Sequence, residues 1–431
     1  MKKMDYQNVK GTQDYLPESE SVRRNIRRTL EDVFIQFGCQ PLETPILNYT
    51  ELLASKYGGG ADILEEMYTL TDRGERDLAL RYDLTIPFAK VAAMNPTLKM
   101  PFKRYEIGKV FRDGPIKTGR LREFTQCDVD IVGVDSQMAE AELMMMALDA
   151  FDKLGMKVEI QYNNRKLLTG VLELFGVEDT KINTAVLILD KLEKVGVDAV
   201  VAELGEQGVP ADVTRSIKQF LTDEHNTDFS YFESLSGQNG QIKQGLQELE
   251  ELTSYLDYLD IGEQCIFNPF LARGLEIYTG TVYEMFLAKG SIKSSIGSGG
   301  RYDNAIGGLI GTGETFSTVG ISFGMDVIYT AMAAAKGNQK FGREMDYYII
   351  PLGTEKESLS VSKYFRDKGY KVEVEMGNKK VGKALHWANK EKIHNVIIIG
   401  EEEVRNNQLK IKDMFAGKDT IESFSFRKIE G

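Results

Sequence analysis

The chain has 431 residues, a formal net charge of −12, three cysteines and three histidines, a length that exceeds one ordinary core and calls for two or three domains. No apolar run is long enough for a bilayer and no secretory h-region follows Met1, so a cytoplasmic protein is expected. Cys39, Cys127 and Cys265 form no C-x-x-C pair and the histidines do not stand at ligand spacing, which argues against a disulfide framework and a protein-held metal. The acidic balance speaks against a polycation-like DNA binder, although not against nucleic acid recognised through a local basic patch.

Residues 9–16 read as an extended arm, and Glu18–Phe37 as a long amphipathic helix with Val22, Ile26, Leu30, Val33, Phe34 and Phe37 on one face. Gly38 stops it, and Cys39–Pro45 follows as a short strand. Over Ala79–Phe88, a period of two aligns Arg81, Asp83 and Thr85 on one face, which is either a wet sheet face or the floor of a ligand site. Phe102–Phe111 and Glu123–Ile131 read as the strands of a hairpin whose loop carries Lys117, Arg120 and Arg122. Arg112 closes the first strand, and Gln126, Asp128 and Asp130 alternate along the second, so an arginine faces an amide and carboxylates.

Ser136–Leu154 is a Met-rich helix suited to core packing, and Val158–Tyr162 a strand. Asn164–Leu259 reads as a helical insertion broken at Gly176, Gly196 and Gly208. Next, Arg273 and Glu276 precede a Tyr-, Thr- and Val-rich run, Tyr278–Phe286, that reads as a largely buried strand. An arginine leading into such a strand needs an anionic partner, because an unpaired buried charge is costly. That partner is either a structural carboxylate or a bound anion, and the arginines at 81 and 112, in similar settings, point to one anion-binding site. Gly299-Gly300 precede Arg301 and Tyr302, where the missing side chains permit close backbone approach. Thr318–Met332 is a glycine-rich strand entering a helix at Met325. Neither G-x-x-x-x-G-K-[ST] nor G-x-G-x-x-G occurs, so the common parallel-sheet nucleotide folds are not indicated. After a polar linker over 333–344, strands and helices alternate from Tyr347 to Ile399 as a small, mostly parallel α/β domain. Its Lys379, Lys380 and Lys383, near His386 and Trp387, form either a solvated helix face or an RNA surface.

Together these stretches resemble histidyl-tRNA synthetase, a class II aminoacyl-tRNA synthetase, over essentially the whole chain. The helix and strand ending at Pro45 look like motif one, the family's dimer interface. Phe111-Arg112 through Phe124 looks like motif two, and Arg273-Gly274-Leu275-Glu276-Ile277-Tyr278 like the arginine signature of histidyl enzymes. Arg81–Thr85 and Gln126–Asp130 resemble the eukaryotic and archaeal variants of their segments, and residues after Met345 resemble the anticodon-binding domain. The resemblance implies an α+β catalytic domain with a mixed, mainly antiparallel sheet at 1–163 and 261–335. It also implies a helical insertion at 164–260 and a C-terminal α/β anticodon-binding domain at 345–431.

It further implies a homodimer that joins L-histidine to histidine tRNA, using ATP with Mg²⁺ carried on its phosphates. Arg112 and Arg273 would then grip the α-phosphate as catalytic residues, and Arg120 and Arg301 would help to bind ATP. Asp83, Thr85 and Gln126 would hold the backbone end of histidine, while Asp130 and Tyr278 would meet the imidazole nitrogens. The chain departs from the family pattern at Ile277 and, in motif three, at Val327, where the family carries an arginine for the γ-phosphate. Weaker ATP binding is therefore expected. A paralogue that senses histidine without charging tRNA, such as a regulatory subunit of ATP phosphoribosyltransferase, is the alternative; the C-terminal domain favours the enzyme.

Overall fold

The computed structural model describes residues 6–54, 64–274, 277–289, 292, 294–311, 314–336, 345–377 and 379–426. Leu275 and Glu276 of the arginine signature, and residues 337–344 of the linker, lie outside the described residues. The chain divides into two compact units, one of residues 1–14 and 22–337, the other of residues 15–21 and 338–431. Among the described residues no helix is long and apolar enough to cross a membrane.

Helix α1 (Pro17–Gln36) buries Val22, Ile26, Leu30, Val33 and Phe34, the stripe that its 3.6-residue period dictates. It stops where Gly38 turns left-handed, at φ +76°. Phe34 seats the helix on the sheet of the first unit, its ring 5.7 Å from Tyr105 and 5.6 Å from Phe323.

That sheet has eight strands: β1 (Gln40–Pro41), β2 (Phe102–Phe111), β3 (Glu123–Val132), β4 (Val158–Asn164), β5 (Cys265–Phe267), β6 (Thr281–Leu287), β7 (Gly297–Arg301) and β8 (Thr318–Gly324). Their spatial order is β1-β2-β3-β8-β7-β6-β4-β5. The outermost pairs, β1 with β2 and β4 with β5, are parallel, and every pair between them is antiparallel. The mixed, mainly antiparallel sheet expected from sequence is thus present. The strand expected over Cys39–Pro45 contracts to the two residues of β1. Three buried cysteines, Cys39, Cys127 and Cys265, are unpaired.

The stretch 79–88 departs from the strand that its period suggested. A short strand, Asp77–Leu80, pairs with Leu47–Tyr49, and helix α2 (Thr85–Met94) begins at Thr85. Pro87 sits in the first helical turn, where its missing N–H costs nothing. The Asp83 carboxylate accepts the Ile86 N–H at 3.0 Å, satisfying a donor that the helix leaves unpaired. Arg81 therefore does not share a face with Asp83 and Thr85.

Helix α3 (Met138–Lys153) covers the sheet with Leu143, Met144, Met146 and Phe151, the Phe151 ring lying 5.7 Å from Phe323. Between β4 and β5 the chain is helical from Arg165 to Tyr258. In the second unit a five-stranded sheet follows the order β10-β9-β11-β12-β13, formed by β9 (Tyr347–Pro351), β10 (Val372–Val374), β11 (Asn395–Ile399), β12 (Gln408–Asp413) and β13 (Asp419–Ser423). The first three are parallel, as expected, and β12 and β13 add an antiparallel hairpin that the sequence reading did not contain. Ile349, Val361, Phe365, Ile397 and Ile399 fill one side of this sheet.

Candidate active site

Three antiparallel strands, β3, β8 and β7, floor a cleft of about 410 Å³ in the first unit. Asp128 and Asp130 rise from β3, Gly320 and Ser322 from β8, and Ser298, Gly299 and Gly300 from β7. Asp83 and Thr85 at the head of α2, with Tyr278 and Tyr302, complete the lining. Strand pairing sets this arrangement: Asp130 lies across from Arg104 on one side and Gly320 on the other. Gly320 is required at its place, because a Cβ there would fall 2.0 Å from Asp130 Oδ1. Gly300 likewise makes room for the Tyr278 ring, which a Cβ would meet at 2.9 Å.

The floor rests on buried charge. Arg104 is fully buried, with Nη2 2.6 Å from Asp130 Oδ2, Nη1 3.6 Å from Glu106 and its guanidinium 4.3 Å from the centre of the Phe88 ring. Tyr302 donates its hydroxyl to the other oxygen of Asp130. Burial pushes the Asp130 carboxyl up and Arg104 pulls it back, leaving it above the usual carboxylate range. Arg81 donates to Glu106 at 2.7 Å and to the carbonyls of Thr44 and Lys109, each at 2.7 Å. Four of the residues beneath the cleft are therefore locked into one ion network, which fixes the height of the Asp130 carboxylate.

Arg112 differs. Its guanidinium stacks 4.0 Å from the centre of the Tyr82 ring and 5.2 Å from that of Phe124, and among the described residues only Nε is engaged, donating to the Tyr82 carbonyl at 3.1 Å. Among the described residues its Nη groups have no acceptor, and Tyr82, which it contacts, precedes Asp83 in the chain. Arg120, at the exposed hairpin loop, touches Glu66 at 3.4 Å. Gln126 donates to Ser322 at 3.0 Å and leaves its Oε1 buried without a hydrogen-bond partner.

Arg273 ion-pairs with Glu284 and donates to Ser298 on the cleft wall at 3.1 Å. Its Nε is buried without an acceptor. Tyr278 hydrogen-bonds the same guanidinium. Burial raises the Tyr278 phenol above its ordinary value although Arg273 opposes this, so the hydroxyl stays protonated as a donor.

Arg301, which the resemblance assigns to ATP, is held elsewhere. It does not line the cleft. Its Nε and Nη2 clasp both oxygens of the fully buried Glu140 at 2.6 and 2.7 Å, while Nη1 and Nη2 donate to the carbonyls of Val134 and Ser136. Four of the five donors of this guanidinium are thereby taken by protein acceptors, which leaves little geometry for a phosphate. Val327 faces the hairpin loop, 3.4 Å from where a Cβ on Gly119 would stand. Asp326 beside it is tied to the buried Arg23 and to the Thr125 N–H at 2.8 Å. The reading also passed over Arg104 and Ser322 and gave Asp128 no role. The signal for Ser322 and Asp128 was present in the alternation of polar residues along β3 and β8, once those strands are paired.

The family profile for histidyl-tRNA synthetase matches residues 11–328. The chain belongs to the histidyl-tRNA synthetase family. A second profile, an anticodon binding domain, matches residues 346–428. The histidine–tRNA ligase 2 of Shouchella clausii (strain KSM-K16) is 60% identical over 427 residues, covering 99% of this chain and 100% of the relative. The histidine–tRNA ligase 1 of Bacillus thuringiensis subsp. konkukian (strain 97-27) is 52% identical over 417 residues, 96% of this chain and 97% of that one. Among solved structures, histidyl-tRNA synthetase from Nostoc sp. PCC 7120 superposes with a TM-score of 0.84 at 29% identity, covering 98% of this chain and 97% of the other. Among the described residues no group of three or more His, Cys, Asp or Glu could hold a metal ion.

Proposed function

We propose that this cleft activates L-histidine with ATP, giving histidyl-adenylate and pyrophosphate, and then passes histidine to the 3′ end of its tRNA. The observation that carries this reading is an acidic floor, Asp83, Asp128 and Asp130, with an arginine, Arg112, bound to the carbonyl of Tyr82 just before Asp83 and with no acceptor on its Nη groups among the described residues. An acidic floor suits a cationic amino acid. The free fork of Arg112 suits the α-phosphate, a permanent charge with fixed donors.

The chemistry is attack of the histidine carboxylate on the α-phosphorus, with pyrophosphate leaving. Such a reaction is promoted chiefly by positioning and by stabilising charge on the transferring group. Arg112 holds the α-phosphate from one side. Arg273, held by Glu284 and Ser298, approaches from the other and orients the carboxylate. Asp83, Thr85 and Gln126 hold the backbone end of the substrate. Asp130 has acceptor sites beyond those taken by Arg104 and Tyr302, and with Tyr278 it reads the two imidazole nitrogens. A pocket that demands both contacts rejects isosteres lacking them by ~10⁴-fold without editing. Arg120 on the hairpin loop meets ATP, which arrives as its Mg²⁺ complex.

We read residues 1–163 and 261–335 as the catalytic domain, 164–260 as its helical insertion and 345–431 as the domain that holds the anticodon of histidine tRNA. We also propose a cytoplasmic homodimer, from the resemblance of α1 and β1 to motif one. The test is amino-acid-dependent ATP–pyrophosphate exchange by the full chain. Exchange driven by histidine alone among the twenty amino acids supports the reading. Histidine binding without exchange at any ATP concentration would replace it with the sensor.

A further inference from the structure

Glu66 does not line the cleft, yet its contacts reach Arg112 by two routes. Through the side chain, Glu66 Oε2 accepts the Tyr82 hydroxyl at 2.9 Å, and the face of that same ring carries the Arg112 guanidinium at 4.0 Å. Through the main chain, the Glu66 carbonyl accepts the Asp113 N–H at 2.7 Å, which ties down the residue after Arg112. Gly114 leaves room for this arrangement, because a Cβ there would fall 2.4 Å from Glu66 Oε1. The same Oε1 lies 3.4 Å from Arg120 Nη2, so one carboxylate serves both the loop arginine and the ring beneath Arg112.

Among the described residues Arg112 spends one side-chain hydrogen bond on the protein, so its orientation depends on the Tyr82 ring. That ring is 7% exposed and packs with Leu53, Met67, Ala79 and Ile86. An apolar slot alone lets a ring slide. A hydroxyl anchored on a carboxylate holds it, since moving it breaks a charge-assisted hydrogen bond. The phenol that donates to a carboxylate is also polarised toward its ring, which strengthens the attraction for a cation over its face. Burial raises the Tyr82 phenol above its ordinary value, with Arg112 opposing and Glu66 adding, so the hydroxyl stays a donor.

We propose that Glu66 is a positioning residue for adenylate formation: it fixes Tyr82, and through Tyr82 the guanidinium that meets the α-phosphate. The inference rests on the histidine-activating reading above and adds to it a residue that touches neither substrate. A displacement of about 1 Å in a positioned group costs up to about 10²-fold in rate. The loss therefore falls on kcat, not on the KM for histidine.

Single-turnover adenylate formation and pyrophosphate exchange by the full chain test this. Glu66→Ala should lower kcat about ten- to thirtyfold, with a KM for histidine within about twofold of wild type. Glu66→Gln keeps an acceptor for the Tyr82 hydroxyl and should recover about threefold of that loss. Gly114→Ala displaces the carboxylate without removing it, and should lower kcat about three- to tenfold. The readout that separates positioning from mere structure is non-additivity. In an Arg112→Met background, Glu66→Ala should slow adenylate formation by less than about twofold further, because no guanidinium is left to place. A Glu66→Ala kcat within about twofold of wild type overturns the proposal. So does the full loss repeated in the Arg112→Met background, or a loss confined to the KM for histidine. Should Glu66→Ala fail to fold, Glu66→Gln and Gly114→Ala carry the same cycle with Arg112→Met. If Arg112→Met abolishes exchange while the Glu66 variants keep it, the activating site stands and only the role of Glu66 is lost. If wild type shows no histidine-dependent exchange, the parent reading fails and this proposal with it.

Discussion

Two sets of arginines lie within one catalytic unit, and they differ in what answers their charge. Arg81, Arg104 and Arg301 are each at most 3% exposed and face carboxylates of the protein: Glu106, Asp130 and Glu140. Arg112 and Arg120 lie at the hairpin, where one uses a single nitrogen on a carbonyl and the other makes a loose contact at 3.4 Å. Arg273 stands between the sets, paired with Glu284 yet carrying a buried Nε without an acceptor. The chain thus uses the same side chain for two jobs. In the first set a buried carboxylate answers each guanidinium, although Nε and Nη1 of Arg104 are themselves buried without a hydrogen-bond partner; under the proposed function, the second set meets an anion. Residue type and strand setting are shared, so only the inventory of partners separates them.

The largest effect should come from the second set. Arg112→Met should lower kcat/KM for histidine-dependent pyrophosphate exchange by about 10²–10³, the usual loss for one preorganised donor at developing charge, ~2.7–4 kcal/mol. Its unfolding midpoint should hardly move, because the protein takes only one hydrogen bond from the side chain. Exchange within threefold of wild type would place Arg112 with the structural set.

Asp130→Asn tests the seam between floor and ligand. It should cut kcat/KM for histidine by at least about tenfold, since a charged hydrogen bond contributes ~1.5–3 kcal/mol. It should also destabilise the fold, because the fully buried Arg104 would lose its close carboxylate and keep Glu106 at 3.6 Å and the Leu84 carbonyl at 3.2 Å. A variant that loses stability but keeps its kcat/KM would make Asp130 purely a support for Arg104.

How much of this was legible in the sequence depends on the range of the deciding contact. The strand Phe102–Phe111 could be read to the residue, and its partner nearly so, because a ten-residue alternation carries its own register. That Arg112 follows the first strand and Asp130 alternates along the second was legible because turn and strand period are local. The fate of Arg301 was not, since its partner Glu140 lies 161 residues away and is joined to it only by packing. Between Asp83 and Pro87 the period of two competed with a helix start, and the helix won through the Asp83 cap and a proline in the first turn. The hairpin of β12 and β13 escaped notice because β13 is exposed along its whole length and shows no apolar alternation.

A smaller effect is expected at Val327. The valine packs toward Gly119 of the hairpin loop and stands where the resemblance to motif three implies an arginine. Val327→Arg should lower the KM for ATP by about three- to tenfold, ~0.7–1.4 kcal/mol for one charge-assisted contact at a partly solvated place. A raised KM would mean that the larger side chain displaces the loop instead of reaching the γ-phosphate.

Arg301 gives the most direct test of the division itself, because sequence assigns it to ATP and geometry assigns it to Glu140. Arg301→Met should be measured for both unfolding free energy and KM for ATP in pyrophosphate exchange, below its own unfolding temperature. Breaking a buried pair by removing one partner should cost about 3–5 kcal/mol of stability, and the KM for ATP should stay within twofold of wild type. Unchanged stability with a KM for ATP raised tenfold or more would contradict the account and return Arg301 to the ligand.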